Sequence, residues 1–199
     1  RTVLTELVAE LDALKQPITP IAECPNGAVA QRMHAAAMTY VGCSFLTRMA
    51  AVAGSVADTV LNAMTDGADV RRAYVNNGGD IALHLQEGES YSSAMVGHDG
   101  RELGQIIIQS GYNVGGIATS GWHGRSLSRG IADSVTVLSS CAAKADVAAT
   151  LIANAVDLAS HPAITRRPAN EVVDDSDLGK RPVVVGCGPL TQPDRNTAL

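Results

Sequence analysis

Apolar residues recur every three or four positions in three segments of the chain, which predicts three helices. The first covers residues 3–14 and ends before Pro17, and the second covers residues 28–39. The third, residues 49–64, is apolar on most sides and contains Gly54 in its interior. We therefore expect it to be a buried central helix, with a second backbone or a ligand close to the glycine.

After Arg72 the hydrophobic period changes to two residues, which is typical of β-strands. The glycine-rich sequence at 76–80 predicts a tight turn between the first two strands. Strands are predicted at 73–76, 81–85, 91–96, 103–108, 116–119 and 134–139, followed by a helix at 142–156. Because strands and helices do not alternate regularly, the pattern indicates an α+β fold.

The last part of the chain has a different composition. Residues 162–199 are rich in Pro, Asp and Arg, which predicts a loop-rich tail with one short strand at 183–185. No internal repeat is present in the sequence. We expect residues 1–199 to form a single domain, with its core at about 44–157.

Composition and charge exclude several classes of partner. The chain is 46% hydrophobic but only 3% aromatic and has 19 glycines, so close packing through small side chains is expected. The net charge is −5 and basic residues are not clustered, which argues against nucleic acid as the main partner. No apolar run approaches the ~20 residues that cross a bilayer. These features predict a soluble, cytoplasmic protein.

The cysteines show no Cys-x-x-Cys pair and have mostly apolar or glycine-rich neighbours. They are Cys24, Cys43, Cys141 and Cys187. This pattern predicts four buried thiols in a reducing compartment, with a disulfide or a zinc site as the alternative. A redox-sensing role for Cys43 or Cys141 is a further hypothesis.

The predicted helix at 142–156 carries a candidate metal site. Asp146 and Thr150 are four residues apart, so their oxygens project from the same helix face. A carboxylate and a hydroxyl are oxygen ligands of the kind that Mg²⁺ or Ca²⁺ uses. Alternatively, Asp146 complements a helix N-terminus and Thr150 bonds back to a carbonyl.

The turn after the first predicted strand is a candidate anion site. Asn77, Gly78 and Gly79 offer consecutive backbone N–H groups, and Asp80 offers a carboxylate acceptor for a ribose or a ring N–H. The alternative is a simple hairpin turn, which Asn-Gly specifies without any ligand.

A second loop of this kind follows the strand predicted at 116–119. Thr119, Ser120 and Gly121 precede Trp122, the only tryptophan, and His123. Trp122 is a candidate for stacking on a flat ring, and His123 is a candidate acid or base. A solvated loop histidine is the alternative.

Common enzyme signatures are absent from the sequence. It contains no phosphate-binding Gly-x₄-Gly-Lys-Ser/Thr loop, no Gly-x-Ser-x-Gly elbow, no zinc-binding His-Glu-x-x-His and no Rossmann glycine fingerprint. No spacing marks a Ser-His-Asp triad.

Five segments, taken in order, resemble the ApbE family, which contains FAD:protein FMN transferases. They are Ala-Ala-Val-Ala-Gly-Ser-Val-Ala-Asp at 50–58, Val-Asn-Asn-Gly-Gly-Asp-Ile at 75–81, Ile-Ala-Thr-Ser-Gly at 117–121, Ser-Val-Thr-Val at 134–137 and Ala-Asp-Val-Ala-Ala-Thr at 145–150. The resemblance covers residues 44–157 and is to a short branch that shares the Asn-Asn-Gly-Gly-Asp loop.

The resemblance implies a T-fold-like arrangement of mixed or antiparallel sheets packed with helices. It also implies a Mg²⁺ ion held by the Ala50 carbonyl, Asp146 and Thr150. A flavin or nucleotide pocket for FAD or FMN would be lined by Asn77, Gly78, Gly79 and Asp80, with another wall formed by Thr119, Ser120 and Gly121.

The expected function is therefore flavin or nucleotide binding, with Mg²⁺-dependent cleavage of FAD and transfer of FMN to an acceptor protein. The alternative is a non-catalytic small-molecule-binding protein, for instance a homodimer. Catalytic residues are not assigned, because residues 128–133 replace the family's His-Ile-Ile-Asp-Pro segment.

Overall fold

Helices and antiparallel strands combine in the computed structural model, which describes residues 2–199, and this confirms the predicted α+β class. The helices are α1 (Val3–Ala9), α2 (Leu11–Leu14), α3 (Ala28–Met38), α4 (Val52–Thr65), α5 (Ala142–Ala155), α6 (Ala169–Val172) and α7 (Gln192–Ala198). The strands are β1 (Arg72–Asn77), β2 (Asp80–Leu85), β3 (Ser90–Val96), β4 (Glu102–Gln109), β5 (Gly116–Ser120), β6 (Val135–Ser139), β7 (Ile164–Pro168) and β8 (Pro182–Cys187).

The described residues divide into two compact units. The first contains the residues up to Ala118 together with Val137–Ala148, and the second contains Thr119–Thr136 and Ala149–Leu199. Strands β1, β2, β5 and β6 form a sheet in that order, and β3 pairs with β4 in a separate antiparallel ribbon.

The core of the first unit lies on both faces of β2. On one face Ala82 packs with Ala57 and Leu61 of α4. On the other face Ile81 and Leu83 pack with apolar residues of β4 and β5, Ile108 and Ile117. Small side chains bring α4 close to the sheet, as the composition predicts.

The first helix is broken where a single helix over 3–14 was expected. Glu10 separates α1 from α2, and its carboxylate accepts hydrogen bonds from the N–H groups of Asn26 (2.8 Å) and Gly27 (2.6 Å). Gly27 is the N-cap residue of α3, so Glu10 caps a different helix from its own. The prediction was wrong here because a tertiary contact outweighs the local helical pattern.

A short 3₁₀ turn, Arg48–Ala51, precedes α4, where the sequence predicted α-helix from residue 49. The Arg48 side chain is buried (6% exposed). Its guanidinium donates to the carbonyls of Ala13 (3.1 Å) and Glu23 (2.7 Å) and to Nδ1 of His34 (3.1 Å). This turn therefore joins the N-terminal segments to the start of α4.

The contact between His34 and Arg48 predicts acid sensitivity. Burial and then the positive charge of Arg48 lower the pKa of His34. The contribution of neutral His34 to the free energy of unfolding is fully present above about pH 6.5, the pKa of an unfolded histidine. It is lost as the pH falls from there toward the lower pKa of His34 in the folded state. We expect His34→Gln, which keeps a hydrogen-bond acceptor, to lose less stability than the wild type between about pH 7.5 and about pH 5.5 in urea unfolding. Parallel pH profiles for the two proteins would contradict this.

The second unit contains more regular structure than the sequence predicted for residues 162–199. Strands β7 and β8 form an antiparallel pair in which Pro168 opposes Pro182. Helix α7 begins with a capping box formed by Thr191 and Asp194. The strand predicted at 183–185 is confirmed as part of β8, whereas β7, α6 and α7 were not predicted, because these Pro and Asp residues lie at strand ends and in a helix cap.

The four cysteines are free, and two of them are exposed. Cys24 and Cys43 lie on the surface, whereas Cys141 and Cys187 are partly buried. The expectation of four buried thiols was wrong for the first two, which lie in irregular segments outside the core. Across residues 2–199, no helix has the length and apolar character required to cross a bilayer.

Candidate functional site

The turn between β1 and β2 is a tight hairpin with two central glycines. Asn77 pairs with Asp80, and Gly78 (φ 70°) and Gly79 (φ 113°) occupy the left-handed region that such a turn requires. The Gly79 N–H donates to the side-chain oxygen of Asn76 (2.9 Å). The hairpin alternative for this segment is thus confirmed, while its role in anion binding stays a prediction.

The hairpin places Asp80 close enough to Asp146 of α5 for the two carboxyl groups to interact. Asp80 is 8% exposed, and Asp146 is partly buried. Desolvation and then the negative charge of Asp80 raise the pKa of Asp146 well above its usual value. Ionising both of two neighbouring carboxyl groups costs free energy because their negative charges repel. A shared proton or a bound cation removes that cost.

A backbone N–H at the start of α4 holds Asp146 in place. The N–H of Gly54 donates to its carboxylate at 3.0 Å. The side-chain amide of Asn77 donates to the carbonyl of Ala53 at 3.1 Å. The hairpin, the first turn of α4 and Asp146 are therefore joined by one network of hydrogen bonds.

Helices α4 and α5 cap each other. Asp58 of α4 is buried (4% exposed), and its two carboxylate oxygens accept from the N–H groups of Ala142 (3.0 Å) and Ala143 (2.9 Å) at the start of α5. In the same way, the carboxylate of Asp146 accepts from the N–H of Gly54 in the first turn of α4. The predicted alternative for Asp146, a helix-dipole role, is thus present, but at the N-terminus of another helix.

Close contact of the two helices depends on Gly54. A Cβ atom on Gly54 would lie 2.4 Å from the carbonyl oxygen of Ala142. This confirms the prediction that another backbone lies close to this glycine. Sequence reasoning missed Asp58, although each helix carries the same signal: a small residue, Gly54 or Ala142, followed four positions later by an aspartate.

Of the two further predicted magnesium ligands, Thr150 lies in the expected helix, α5, whereas Ala50 lies in the 3₁₀ turn that precedes α4 and not in the α-helix that was predicted to begin at residue 49. Their role as ligands stays a prediction.

The predicted segment Thr119–Gly121 lies in the second unit. The hydroxyl groups of Thr119 and Thr136 are hydrogen-bonded at 2.9 Å. Gly121 is buried against the carbonyl of Asp133, which a Cβ atom would approach to 2.4 Å. Ser120 ends β5 and is partly buried. Close backbone packing therefore explains the glycine, and a ligand role for the segment stays a prediction.

The aromatic residues after this segment contact each other. The rings of Trp122 and His123 lie 3.8 Å apart. The Trp122 indole N–H donates to Oδ1 of Asp133 at 3.2 Å, and Nε2 of His123 lies at the same distance from that oxygen. The His123 ring therefore covers part of the indole surface that was expected to stack on a ligand.

The chain belongs to the family described as "AbpE bacteria", whose model matches residues 1–199. It is 37% identical over 163 residues to a UPF0280 protein of Methanothrix thermoacetophila, covering 78% of this chain and 65% of that protein. A UPF0280 protein of Methanococcus maripaludis is 38% identical over 111 residues, which cover 53% of this chain and 44% of that protein. The chain spans about half to two thirds of the length of these relatives.

These findings correct the predicted family. The sequence segments resembled the ApbE family, whereas the matching family is "AbpE bacteria" and the similar proteins are named UPF0280. The assignment to ApbE was therefore wrong. Its segments are short and rich in Gly, Ala and Asp, and the structure shows that hairpin and helix-packing requirements account for much of that composition.

Proposed function

We propose that the first unit binds a divalent cation, Mg²⁺, at Asp80 and Asp146 and through it a phosphate-bearing nucleotide. The observation that carries this proposal is the position of Asp80, fixed by the hairpin, beside the carboxylate of Asp146, which the Gly54 N–H holds. A divalent cation neutralises both carboxylates and so removes their repulsion. The Ala50 carbonyl, in the turn before α4, is proposed as a third ligand.

The donor set fits a hard cation. Magnesium prefers oxygen ligands and keeps several of its coordination positions for water and substrate phosphates, so one or two carboxylates are a sufficient protein contribution. When bound, the ion would supply a positive charge that attracts phosphate oxygens. FAD and FMN are proposed as the first nucleotides to test, on the sequence expectation alone.

The protein's own residues keep the two carboxylates in a fixed position. The N–H of Gly54 orients Asp146, and the hairpin orients Asp80. Asn77 fixes the hairpin to the turn of α4 that provides this N–H group. Such preorganisation lowers the entropic cost of binding a cation.

The test of the cation site is calorimetric titration of Mg²⁺ into protein previously treated with EDTA. We expect Asp146→Ala and Asp80→Asn to weaken binding by at least about tenfold, because each removes a charged ligand. Asp12→Asn, which alters an exposed carboxylate, serves as the matched control and should leave the affinity unchanged. Unchanged affinity in Asp146→Ala would overturn the cation site.

The metal-free stability of Asp80→Asn provides an independent readout. Removal of the repulsion with Asp146 should raise the free energy of unfolding by about 1 kcal/mol in EDTA, even though the variant loses metal binding. A variant that is both less stable and unable to bind would point to misfolding instead.

A second experiment addresses the nucleotide. FAD is mixed with the protein and Mg²⁺, with and without EDTA, while flavin fluorescence follows binding and chromatography follows AMP and FMN. Release of AMP only in the presence of metal would indicate an enzyme, and intact bound FAD would indicate a non-catalytic binding protein. Binding of Mg²⁺ without binding of FAD would overturn the choice of a flavin and leave the cation site standing.

A further inference from the structure

The second unit contains an arginine, Arg129, whose guanidinium Nε is buried without a hydrogen-bond partner among the described residues. Two other arginines of this unit are paired, Arg166 with Asp157 and Arg167 with Glu171. Burying a guanidinium N–H without a hydrogen-bond partner costs free energy. A partner from outside the described chain would therefore stabilise this arginine.

The backbone around Arg129 is held firmly. Its N–H donates to Oδ1 of Asn154 at 2.8 Å, and the adjacent Ser128 hydroxyl donates to the carbonyl of Gly130 at 3.1 Å. On the other side, the N–H of Ile131 donates to the carbonyl of Val156 at 2.8 Å. The position of Arg129 is therefore set by its neighbours rather than by its own side-chain contacts.

Local charge favours an anion as the missing partner. Residues 120–132 contain two arginines, Arg125 and Arg129. The next residue, Asp133, accepts from the Trp122 indole and lies 3.2 Å from Nε2 of His123. A guanidinium group offers parallel N–H donors that match the oxygens of phosphate and carboxylate groups.

We propose that Arg129 forms an oxyanion-binding site in the second unit, which takes a phosphate or carboxylate group through the terminal N–H groups of the guanidinium. The site is independent of the proposed cation site, because it uses a cation of the protein itself. Arg125, on the exposed part of the same segment, adds favourable long-range charge but no direct bond.

The only tryptophan gives a direct test. Trp122 packs in the same apolar cluster as Ile131, two residues from Arg129, so its fluorescence serves as the readout for binding there. Inorganic phosphate and, separately, acetate are titrated at constant ionic strength into protein that has been treated with EDTA and then dialysed free of it, so that no metal contributes. We expect saturable binding of at least one anion by the wild type, and the two titrations distinguish phosphate from carboxylate.

Three variants separate a direct bond from general electrostatics. Arg129→Gln should bind at least about tenfold more weakly, and Arg129→Lys should lie between this variant and the wild type because it keeps the charge but not the paired donors. The matched control, Arg125→Gln, should bind within about twofold of the wild type.

Several outcomes would overturn the proposal. They are the absence of a saturable response to both anions in the wild type, unchanged affinity in Arg129→Gln, and equal losses in the Arg129 and Arg125 variants. If the Arg129 variants do not fold, the thermal unfolding of the wild type is measured with and without each anion. A midpoint temperature that rises with neither anion contradicts the site. Because the protein is metal-free throughout, failure here leaves the cation proposal untouched.

Discussion

Gly54→Ala is expected to lower the free energy of unfolding by about 3 kcal/mol or more. The added methyl carbon would lie 2.4 Å from the carbonyl oxygen of Ala142 and 2.7 Å from the N–H nitrogen of Ala143. Both are backbone atoms, so the contact is relieved only if α4 and α5 move apart. Helix propensity alone predicts the opposite sign, since alanine is favoured over glycine by about 1 kcal/mol inside a helix.

Urea unfolding measures this effect, with Gly188→Ala as the matched control. A Cβ atom on Gly188 would have its nearest neighbours at 3.5 Å, which is ordinary van der Waals contact. That substitution should change stability by less than about 1 kcal/mol. Equal or higher stability of Gly54→Ala would show that the two helices are not in close backbone contact.

Asp58→Ala is expected to cost about 2 to 4 kcal/mol. The substitution leaves the N–H groups of Ala142 and Ala143 without their acceptor, at a position where Asp58 is only 4% exposed. Water cannot easily replace the lost bonds there, so the cost should exceed that of an ordinary surface cap.

An exposed cap in the same chain allows a direct comparison. Thr191 accepts from the N–H of Asp194 at the start of α7, where the pair is exposed. Thr191→Ala should therefore cost only about 1 kcal/mol in the same urea unfolding measurement. If Asp58→Ala costs no more than Thr191→Ala, the burial of the helix contact has little effect on stability. Asp58→Asn should recover part of the loss, because an amide oxygen can still accept one bond.

Much of the secondary structure could be predicted because it depends on neighbouring residues. The two glycines after Asn77 specified the hairpin between β1 and β2, since few other residues adopt the required positive φ. Hydrophobic period alone located α3, α5 and the first six strands to within a few residues.

The candidate site was predicted only in part. Asp146 was proposed from its spacing to Thr150 on one helix, and Asp80 was proposed from the hairpin. No sequence pattern indicated that their carboxyl groups lie close together. Asp58 was missed altogether. The bond between Gly54 and Asp146 joins residues 92 positions apart, so local periodicity carries no information about it.

The sequence by itself determined where helices, strands and the glycine turn form, because hydrophobic period and backbone freedom act over a few residues. Only the tertiary structure decided that Glu10 leaves its helix to cap α3 and that Asp58 and Asp146 cap the helices opposite them. It also decided that Asp80 lies close to Asp146 and that the Nε of Arg129 is buried without a partner. The physical reason is that burial and charge proximity arise only when distant segments pack, and both depend on distances in space rather than along the chain.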